Sequence, residues 1–536
     1  MEYEEVLARV GKMGRYQVYL CVLSIVACSN AGIHLFNIVF TMGMPRFRCA
    51  VPGLLNDTFT IQNEAHGRLV NATIPFDLAK GSYSKCNHYK TSLNLRTWET
   101  LNHTSLETQS CSRWLDLVCD RQIFISHANM IGMVGIMVMT MVTGALSDRW
   151  GRKRLFILMN WIQLIASIAT VFVKSEISFL ILRFVEVGSG MASFMCLYGL
   201  VTEISAPSRR VVGTSVNIGG WNIGMLAVIL VAFFVREWKT LQLILTAPLV
   251  LTALTFPLLI PESPKWLLSK KRYSEAHAIL QTIAKVNGKS LPEEVDLAGG
   301  KEESSHKSAG IVRGLILLFK SPILALRLVI LAISWTVNTM VYYGVGLNMG
   351  FVIPGDIYLN FFLITVIFLI FIPLMVWILL RGQRKKLLCV CMMLGGVSCI
   401  ATILPILGSS SVSWVTTLLS CLGKLFLNVS FAVIWLYTTE LLPTVARLSG
   451  VGFCNFFGRT GAMVAPYIAT LPIVVDGKIG QALPLLVFGA CGLVSGTLCL
   501  LLPETGNGRL PDTVREAELL KRRKKEISNV LVAPKM

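Results

Sequence analysis

Long apolar segments separated by short polar ones dominate the pattern of this chain. At about 1.5 Å per residue, a helix of about 20 apolar residues crosses the hydrocarbon core of a bilayer. Twelve segments meet that requirement, near residues 16–40, 122–147, 155–173, 178–204, 211–235, 240–260, 326–348, 357–380, 386–407, 413–440, 449–470 and 482–502. The pattern therefore predicts an all-α membrane protein with 12 transmembrane helices.

The polar segments divide the chain into five predicted regions. These are a cytosolic N-tail (1–15), an N-terminal six-helix bundle (16–260) that includes an outer loop (42–121), a cytosolic loop with amphipathic helices (261–325), a C-terminal six-helix bundle (326–502) and a basic cytosolic C-tail (503–536).

Composition supports this interpretation. The chain of 536 residues is 54% hydrophobic and only 15% charged, which excludes an ordinary soluble protein and a disordered one. The net charge of +19 would suggest a nucleic-acid partner in a soluble protein. Here the basic residues fall in short loops between apolar segments, as the positive-inside rule predicts, so we expect cytosolic termini and no nucleic-acid partner. The KRRKK run (521–525) is expected to lie on anionic lipid headgroups.

The predicted outer loop carries the features of an extracellular segment. It contains an even number of cysteines, for which we expect two disulfides of undetermined connectivity, and three N-glycosylation sequons. The cysteines are Cys49, Cys86, Cys111 and Cys119, and the sequon asparagines are Asn56, Asn71 and Asn102.

The two halves of the chain share a repeat. TEISAPSRRVVG (202–213) recurs as TELLPTVARLSG (439–450), and matching positions lie 237 residues apart. Two six-helix halves related by such a repeat are the plan of secondary transporters, whose substrate site lies at mid-membrane between the halves. Glu203 and Glu440 end their segments near Arg210 and Arg447, so we expect these four residues to brace an inner gate.

The GALSDRWGRKR segment (144–154) joins the second and third predicted helices. Asp148 is able to cap the following helix or to pair with a base, and Arg149 and Arg152 lie close by in sequence. Such a pair would act as a charged latch during transport. The alternative is a solvated basic loop.

Arg459 is the one charge in its apolar segment, with Asn455 one turn earlier. About 15 Å into the membrane, an arginine costs at least ~2.5–3.5 kcal/mol on insertion scales, so it needs a partner or a water-filled cavity. It is predicted either to contact a substrate or to form a structural ion pair.

Polar and aromatic residues of other segments are further candidate substrate contacts. Each one alone is more typical of a hydrogen bond between helices, but together they come from repeat-related segments. They are Asn30, His34, Asn37, Asn217, Trp221, Trp335, Asn338, Tyr342, Lys424, Asn428 and Trp435. His34 is able to carry a proton. Arg183 and Glu186 are predicted to form a structural pair or a coupling pair.

The motifs as a set resemble a known family. GALSDRWGRK with RFVEVGSG (183–190) is similar to the major facilitator superfamily. PESPKWLLSKKRYSEA (261–276), YTTELLPTVARLSGVG (437–452) and LPETGNGRLPDT (502–513) resemble the solute carrier family 22 organic ion transporters more specifically. The resemblance implies two pseudo-symmetric six-helix bundles, a plasma-membrane location and a cavity lined by Trp335 and Tyr342.

Members of that family carry organic cations, organic anions or zwitterions such as carnitine. Its cation carriers tend to have an aspartate at the position of Arg459 and a glutamate in the eighth helix, where this chain has uncharged VIFLIFIP (366–373). The resemblance implies a polyspecific carrier of organic ions. The single positive anchor, Arg459, without an evident opposing carboxylate favours an anion or a zwitterion as the substrate. The alternatives are an organic cation transporter and a transport-dead receptor or scaffold. No enzymatic motif is present, and we expect no enzyme activity, no cofactor and no metal.

Overall fold

The structure is a computed structural model. It describes residues 3–11, 14–42, 61, 63–74, 76–77, 82–83, 87–89, 108–110, 123–205, 210–289, 311–347, 353, 356–381, 383–407, 413–475, 477–505, 511 and 513–519. Residues 1–41 and 128–536 form one compact unit, and residues 42–127 form a second.

The described part of the chain is largely helical. In chain order the first helices are α1 (Tyr3–Val10), α2 (Arg15–Phe36), α3 (Ile38–Thr41), α4 (Glu64–Thr73), α5 (Ile123–Trp150), α6 (Arg152–Val171), α7 (Glu176–Ile204), α8 (Arg210–Phe234), α9 (Trp238–Leu259), α10 (Pro264–Ser269) and α11 (Tyr273–Val286). They are followed by α12 (Ile311–Lys320), α13 (Pro322–Leu347), α14 (Ile357–Arg381), α15 (Arg384–Ala401), α16 (Ile403–Leu407), α17 (Ser413–Leu441), the 3₁₀ turn Thr444–Ala446, α18 (Arg447–Ala469), α19 (Leu471–Val474) and α20 (Gly477–Cys499).

Twelve long helices coincide with the twelve predicted segments. They are α2 with α3, α5 to α9, α13, α14, α15 with α16, α17, α18 and α20. Eleven of them are long and apolar enough to cross a membrane by length and composition. The twelfth, α18, is outside that set because Asn455, Arg459 and several glycines lower its hydropathy. The predicted fold class is confirmed, and the helix that carries Arg459 is the one that falls outside the set.

Four short strands lie in the unit formed by residues 42–127. Strands β1 (Phe76–Asp77) and β2 (Ser82–Tyr83) pair antiparallel, with Phe76 opposite Tyr83. Strands β3 (Asn87–Tyr89) and β4 (Thr108–Ser110) also pair antiparallel, with His88 opposite Gln109. The predicted disulfide cysteines and two of the three sequon asparagines, Asn56 and Asn102, lie outside the described residues. Asn71 lies exposed on α4.

Glycines position the same pair of helices in each half. Helix α2 packs along α8, and α13 packs along α18. A Cβ at Gly224 would overlap the carbonyl oxygen of Ser29, and a Cβ at Gly461 would overlap that of Thr336. Small residues let membrane helices approach closely. Because Gly224 and Gly461 are 237 residues apart, the repeat found in the sequence is also a repeat of helix packing.

We call the end of the helical unit where α5 joins α6 and α14 joins α15 the basic end, after Arg149, Arg152 and Arg384. The predicted amphipathic segment forms α10 and α11 there. Leu280 and Ile283 of α11 are buried with Leu7 of α1. The Asn287 side chain accepts a hydrogen bond from the Tyr16 N–H (3.0 Å) and donates one to the Val10 carbonyl (3.1 Å). It therefore caps the end of α1 and the start of α2, where backbone groups lack helical partners.

Candidate functional site

Arg459 lies near the middle of α18 and is only 5% exposed. Its Nη1 donates to the Tyr343 hydroxyl at 3.3 Å, and its Nε is buried without a hydrogen-bond partner. Within the described part of the chain no carboxylate forms an ion pair with it. The predicted alternative, a structural ion pair, thus has no described partner. Asn455, one turn earlier, is half-buried.

Lys424 of α17 is a second buried cation of the same half, 3% exposed. Its Nζ has no hydrogen-bond partner. The ammonium lies 5.8 Å from the ring centre of Tyr342 and 5.6 Å from that of Phe361. These distances allow a cation–π interaction, which partly replaces the lost hydration of the ammonium. Asn428, one turn further along α17, is buried as well.

Two rings of the second half flank this ammonium, and two rings of the first half pack next to them. We call the four residues, Phe36, Trp221, Tyr342 and Phe361, the aromatic box. Phe36 packs edge-on against Trp221 (6.1 Å between ring centres) and Phe361 (5.8 Å). Trp221 of α8 lies near the side chain of Tyr342 in the other half, and its Nε1 is buried without a hydrogen-bond partner. Two predicted substrate contacts, Trp221 and Tyr342, are therefore brought together with Lys424.

Trp335 and Asn338 occupy the packed interior of the second half. The Trp335 indole donates to the Thr438 hydroxyl at 3.0 Å and packs edge-on against Trp435, with ring centres 4.6 Å apart. The Asn338 amide lies 3.2 Å from the Leu427 carbonyl oxygen and 3.1 Å from the Phe431 nitrogen. Both residues thus join α13 to α17, whereas Trp435 is half-buried. Substrate contact by these three residues stays a prediction.

The buried charges of the first half contact one another and the backbone. His34 Nδ1 lies 2.8 Å from Glu186 Oε1, which also accepts from Gln242 Nε2 at 2.9 Å. Arg183 does not hydrogen-bond Glu186. It donates to the carbonyls of His34 and Leu35 (2.7 Å each) and to Asn37 Oδ1. His34, predicted as a substrate contact or proton carrier, is thus part of a buried network.

The remaining polar residues of the first half also bond within it. Asn30 Nδ2 donates to the Thr252 hydroxyl at 3.2 Å. Asn217 Oδ1 accepts from Ser24 Oγ at 2.5 Å, and its Nδ2 donates to the Gly213 carbonyl. Asn30 thus joins α2 to α9, and Asn217 joins α8 to α2, as interhelical hydrogen bonds do. Substrate contact by these two residues stays a prediction.

Matching ion clusters lie at the basic end of each half. In the first, Glu203 accepts from Arg152 Nη2 (3.0 Å) and from Ser263 Oγ (2.5 Å). In the second, Glu440 accepts from Arg384 Nε (3.4 Å) and from Thr505 Oγ1 (2.7 Å). The described partners of both glutamates are thus the arginines that open α6 and α15, and the role of Glu203, Glu440, Arg210 and Arg447 in an inner gate stays a prediction. Arg447 donates instead to the Leu442 carbonyl and to the Thr444 hydroxyl, and the Arg210 side chain lies outside the described residues.

Helix caps complete these clusters. Glu262 Oε1 accepts from the backbone N–H groups of Arg152 (2.8 Å) and Lys153 (3.1 Å) at the start of α6, and Glu504 accepts from Lys385 N (3.1 Å) at the start of α15. Carboxylates are stabilised at helix N-termini. The cap predicted for Asp148 is therefore made by Glu262, while Asp148 pairs with Arg152 at 3.0 Å in an exposed position. Arg149 is exposed.

Comparisons with known proteins agree with this architecture. Residues 88–512 match the family described as "Sugar (and other) transporter". The human protein "Solute carrier family 22 member 13" is 30% identical over 97% of this chain and 93% of its own length. The chain belongs to solute carrier family 22. Its superfamily is the major facilitator superfamily, as the motifs indicated.

Two further relatives of this family 22 protein come from Drosophila melanogaster. The "Organic cation transporter protein" is 28% identical over 97% of this chain and 95% of its own length. The "Beta-alanine transporter" is 30% identical over 97% of this chain and 89% of its own length. Among solved structures, the xylose transporter XylE from E. coli in an inward-open conformation has a TM-score of 0.59, with 15% identity over 94% of this chain and 100% of that one. This last likeness shows the fold alone.

Sequence reasoning about this family 22 protein missed three features of the site. Tyr343, rather than Tyr342, contacts Arg459. Phe361 and Phe36 lie near Lys424. The sequence does not indicate this, because a phenylalanine in an apolar segment does not stand out from its neighbours. Glu262 and Glu504 cap helices, and here a signal existed, because IPESP (260–264) recurs as LPETG (502–506).

Proposed function

We propose that this protein is a polyspecific carrier of small organic anions or zwitterions that works by alternating access, with Arg459 as the contact for the substrate carboxylate. The observation that carries the proposal is a buried guanidinium at mid-helix with one neutral hydrogen-bond partner and no described ion-pair partner. An uncompensated charge in a membrane protein is costly, and a substrate carboxylate would compensate it.

The second buried cation supports the same preference. Lys424 adds a positive charge next to Tyr342, one residue from the Arg459 partner Tyr343. Among the described residues of the second half, neither cation has a carboxylate partner. A bare organic cation would meet repulsion there, whereas an anion would be attracted. A guanidinium also binds a carboxylate through two parallel hydrogen bonds, which favours Arg459 as the anchor.

Further substrate contacts are proposed from the same region. Asn455 and Trp435 are half-buried, and Asn428 lies on α17 one turn from Lys424. Tyr342 and Trp221 offer ring faces from opposite halves. Rings suit the apolar bodies of varied substrates, which fits a polyspecific carrier.

The proposed transport cycle rocks the two halves about this site. At the end away from the basic end, Phe40 stacks on Tyr358 with ring centres 5.1 Å apart, and Arg236 lies 4.4 Å from the Tyr358 ring centre. These contacts join the first half to the second. We assign them to the outer gate in its closed state. The matching clusters around Glu203 and Glu440 would keep the cytosolic end of each half rigid as it moves.

We place the protein in the plasma membrane with the basic end in the cytosol, following the positive-inside rule. Residues 42–121 would then be extracellular and carry glycans on Asn56, Asn71 and Asn102, with disulfides among Cys49, Cys86, Cys111 and Cys119. The exposed position of Asn71 is compatible with a glycan. Glycosidase treatment should shift the gel mobility of the wild-type protein and leave a triple asparagine variant unchanged. Glycan persisting on the variant would contradict this topology.

Uptake in expressing cells tests the substrate class. Labelled p-aminohippurate-like anions, carnitine and tetraethylammonium are compared at equal amounts of surface protein. We expect saturable uptake of an anion or of carnitine and little uptake of tetraethylammonium. The name of one relative makes an organic cation carrier the second candidate. Preferential uptake of tetraethylammonium would select that candidate and reject our proposal.

A further inference from the structure

We propose that the Lys424 ammonium is a built-in occupant of the aromatic box and that it keeps organic cations out of the site. This inference rests on the proposed function, because it concerns how the same site chooses the charge of its substrate. It assigns Lys424 a role in selectivity that differs from the carboxylate contact of Arg459.

The position of the ammonium carries the inference. Its Nζ lies 5.8 Å and 5.6 Å from the ring centres of Tyr342 and Phe361, and the side chain is 3% exposed. A Cβ on Gly346 would lie 3.1 Å from Nζ and 3.3 Å from the Phe36 ring, so Phe36 borders the same space. Rings of α13 and α14 thus flank the ammonium, Phe36 of α2 borders the same space, and Trp221 of α8 packs against Phe36.

Nothing else described around Lys424 neutralises its charge. Its Nζ has no hydrogen-bond partner, and it is absent from the ion pairs of the described residues. Ring faces attract ammonium groups of lysine and of ligands by the same electrostatics. An organic cation would therefore compete for the rings that Lys424 already holds, and it would be repelled by the Lys424 charge itself.

The chemistry of the box gives a direct test. Lys424→Met replaces the ammonium by an apolar chain of similar length and removes a buried charge, a change that membrane-buried positions tolerate. Lys424→Arg keeps the charge and is the matched control. We expect Lys424→Met to gain saturable tetraethylammonium uptake of about tenfold or more over wild type, while Lys424→Arg stays at the wild-type level.

A third variant tests whether the gained cation uptake depends on the aromatic box. Adding Phe361→Leu to Lys424→Met should remove most of the gained cation uptake, because one ring face is lost. Arg459→Met, which removes a cation but leaves the box occupied, should gain much less than Lys424→Met. Uptake is normalised to surface protein, and thermal unfolding of the purified variants establishes that they are folded.

Each outcome decides the proposal. A folded Lys424→Met protein without cation uptake overturns it, and so does an equal gain in Arg459→Met. Loss of anion affinity in Lys424→Met without any gain for cations would overturn it in favour of direct anion contact. If wild type already carries tetraethylammonium and Lys424→Met carries more, the proposed anion preference fails while the role of Lys424 stands.

Discussion

The two halves of this transporter treat their buried charges differently. In the first half, Glu186 bonds to His34 and Gln242, and Arg183 donates to the main-chain carbonyls of His34 and Leu35. In the second half, Lys424 and Arg459 contact only rings and one tyrosine hydroxyl among the described residues. A third buried cation there, Arg327, donates to the carbonyls of Ala517 and Glu518. Among the described residues, Arg183 Nε and His34 Nε2 also lack a hydrogen-bond partner, but each of these first-half side chains has at least one charged or main-chain partner, which Lys424 and Arg459 lack. We therefore interpret the first-half charges as structural and propose that Lys424 and Arg459 face the substrate.

The repeat makes this contrast sharper. The residue 237 positions before Arg459 is Asn222, on the helix that corresponds to α18. Asn222 is buried, and its amide donates to the Ile218 carbonyl at 2.8 Å within the same helix. The halves therefore share helix packing around Gly224 and Gly461 but not the charge beside it. The repeat thus accounts for the shared helix packing. The candidate site lies where the two halves differ, at Arg459 in place of Asn222.

The largest effect is expected in the charge network of the first half. Arg183→Gln would leave the carbonyls of His34 and Leu35 without their donor and remove the positive charge near Glu186, at a cost of about 3–5 kcal/mol for a broken buried charge network. We expect a clear fall in the thermal unfolding temperature and in surface protein. Lys174→Gln, at an exposed lysine nearby in sequence, is the control and should change neither. Normal stability of Arg183→Gln would break the contrast between the halves.

Arg459 should show the opposite behaviour. Removing a charge-assisted pair with a carboxylate costs about 1.5–3 kcal/mol, so Arg459→Ala should weaken anion affinity roughly ten- to a hundredfold. Its stability should be close to that of wild type, because no described ion pair is lost. Arg459→Lys should restore part of the affinity, since a point charge cannot form the bidentate fork.

The charge of the substituted residue separates this prediction from a structural role. Arg459→Asp should reject anions and is expected to admit small cations. Uptake normalised to surface protein is the measurement. If every Arg459 variant lowers surface protein and uptake in proportion, with unchanged substrate preference, Arg459 is structural and the assignment is wrong.

Much of this fold follows from hydropathy alone. Twelve apolar segments predicted twelve long helices, with ends within a few residues, because the bilayer fixes both length and composition. Arg459 was also predictable as a candidate, because a lone charge in such a segment demands a reason. The repeat predicted which positions in the two halves would correspond.

Partners across the bundle were less predictable. The sequence predicted that Glu203 braces an inner gate, but it did not identify the described partner, Arg152, which precedes Glu203 by 51 residues. The aromatic box draws residues from four helices, and a phenylalanine such as Phe361 looks like any lipid-facing residue in its segment. Tertiary packing decides which face of a hydrophobic helix contacts a buried cation. The periodicity of an apolar sequence does not show that face.

A smaller effect is expected for the matched clusters at the basic end. Glu203 and Glu440 are similarly placed and about one-fifth exposed. Glu203 pairs with Arg152, which opens α6, and Glu440 pairs with Arg384, which opens the matching helix α15. Substitution by glutamine should cost about 1 kcal/mol after screening by solvent, which corresponds to a roughly three- to tenfold lower maximal rate. Both variants should keep the wild-type KM, because the substrate site is elsewhere. A raised KM in either variant would show that its cluster reaches the substrate.

The smallest effect should come from Asp148, the acidic residue of the latch motif. Its carboxylate pairs with Arg152 at 3.0 Å but is 73% exposed, and exposed pairs contribute about 0.2–1 kcal/mol. Arg152 keeps its bond to Glu203 when Asp148 is neutralised. Asp148→Asn should therefore lower the maximal rate by no more than about fivefold, less than Glu203→Gln, with surface protein and KM unchanged. Initial rates across a range of substrate concentrations measure both quantities. A collapse of apparent affinity at a normal maximal rate would reject the latch. A loss of maximal rate larger than that of Glu203→Gln would show that Asp148 makes the main charge contact of the gate.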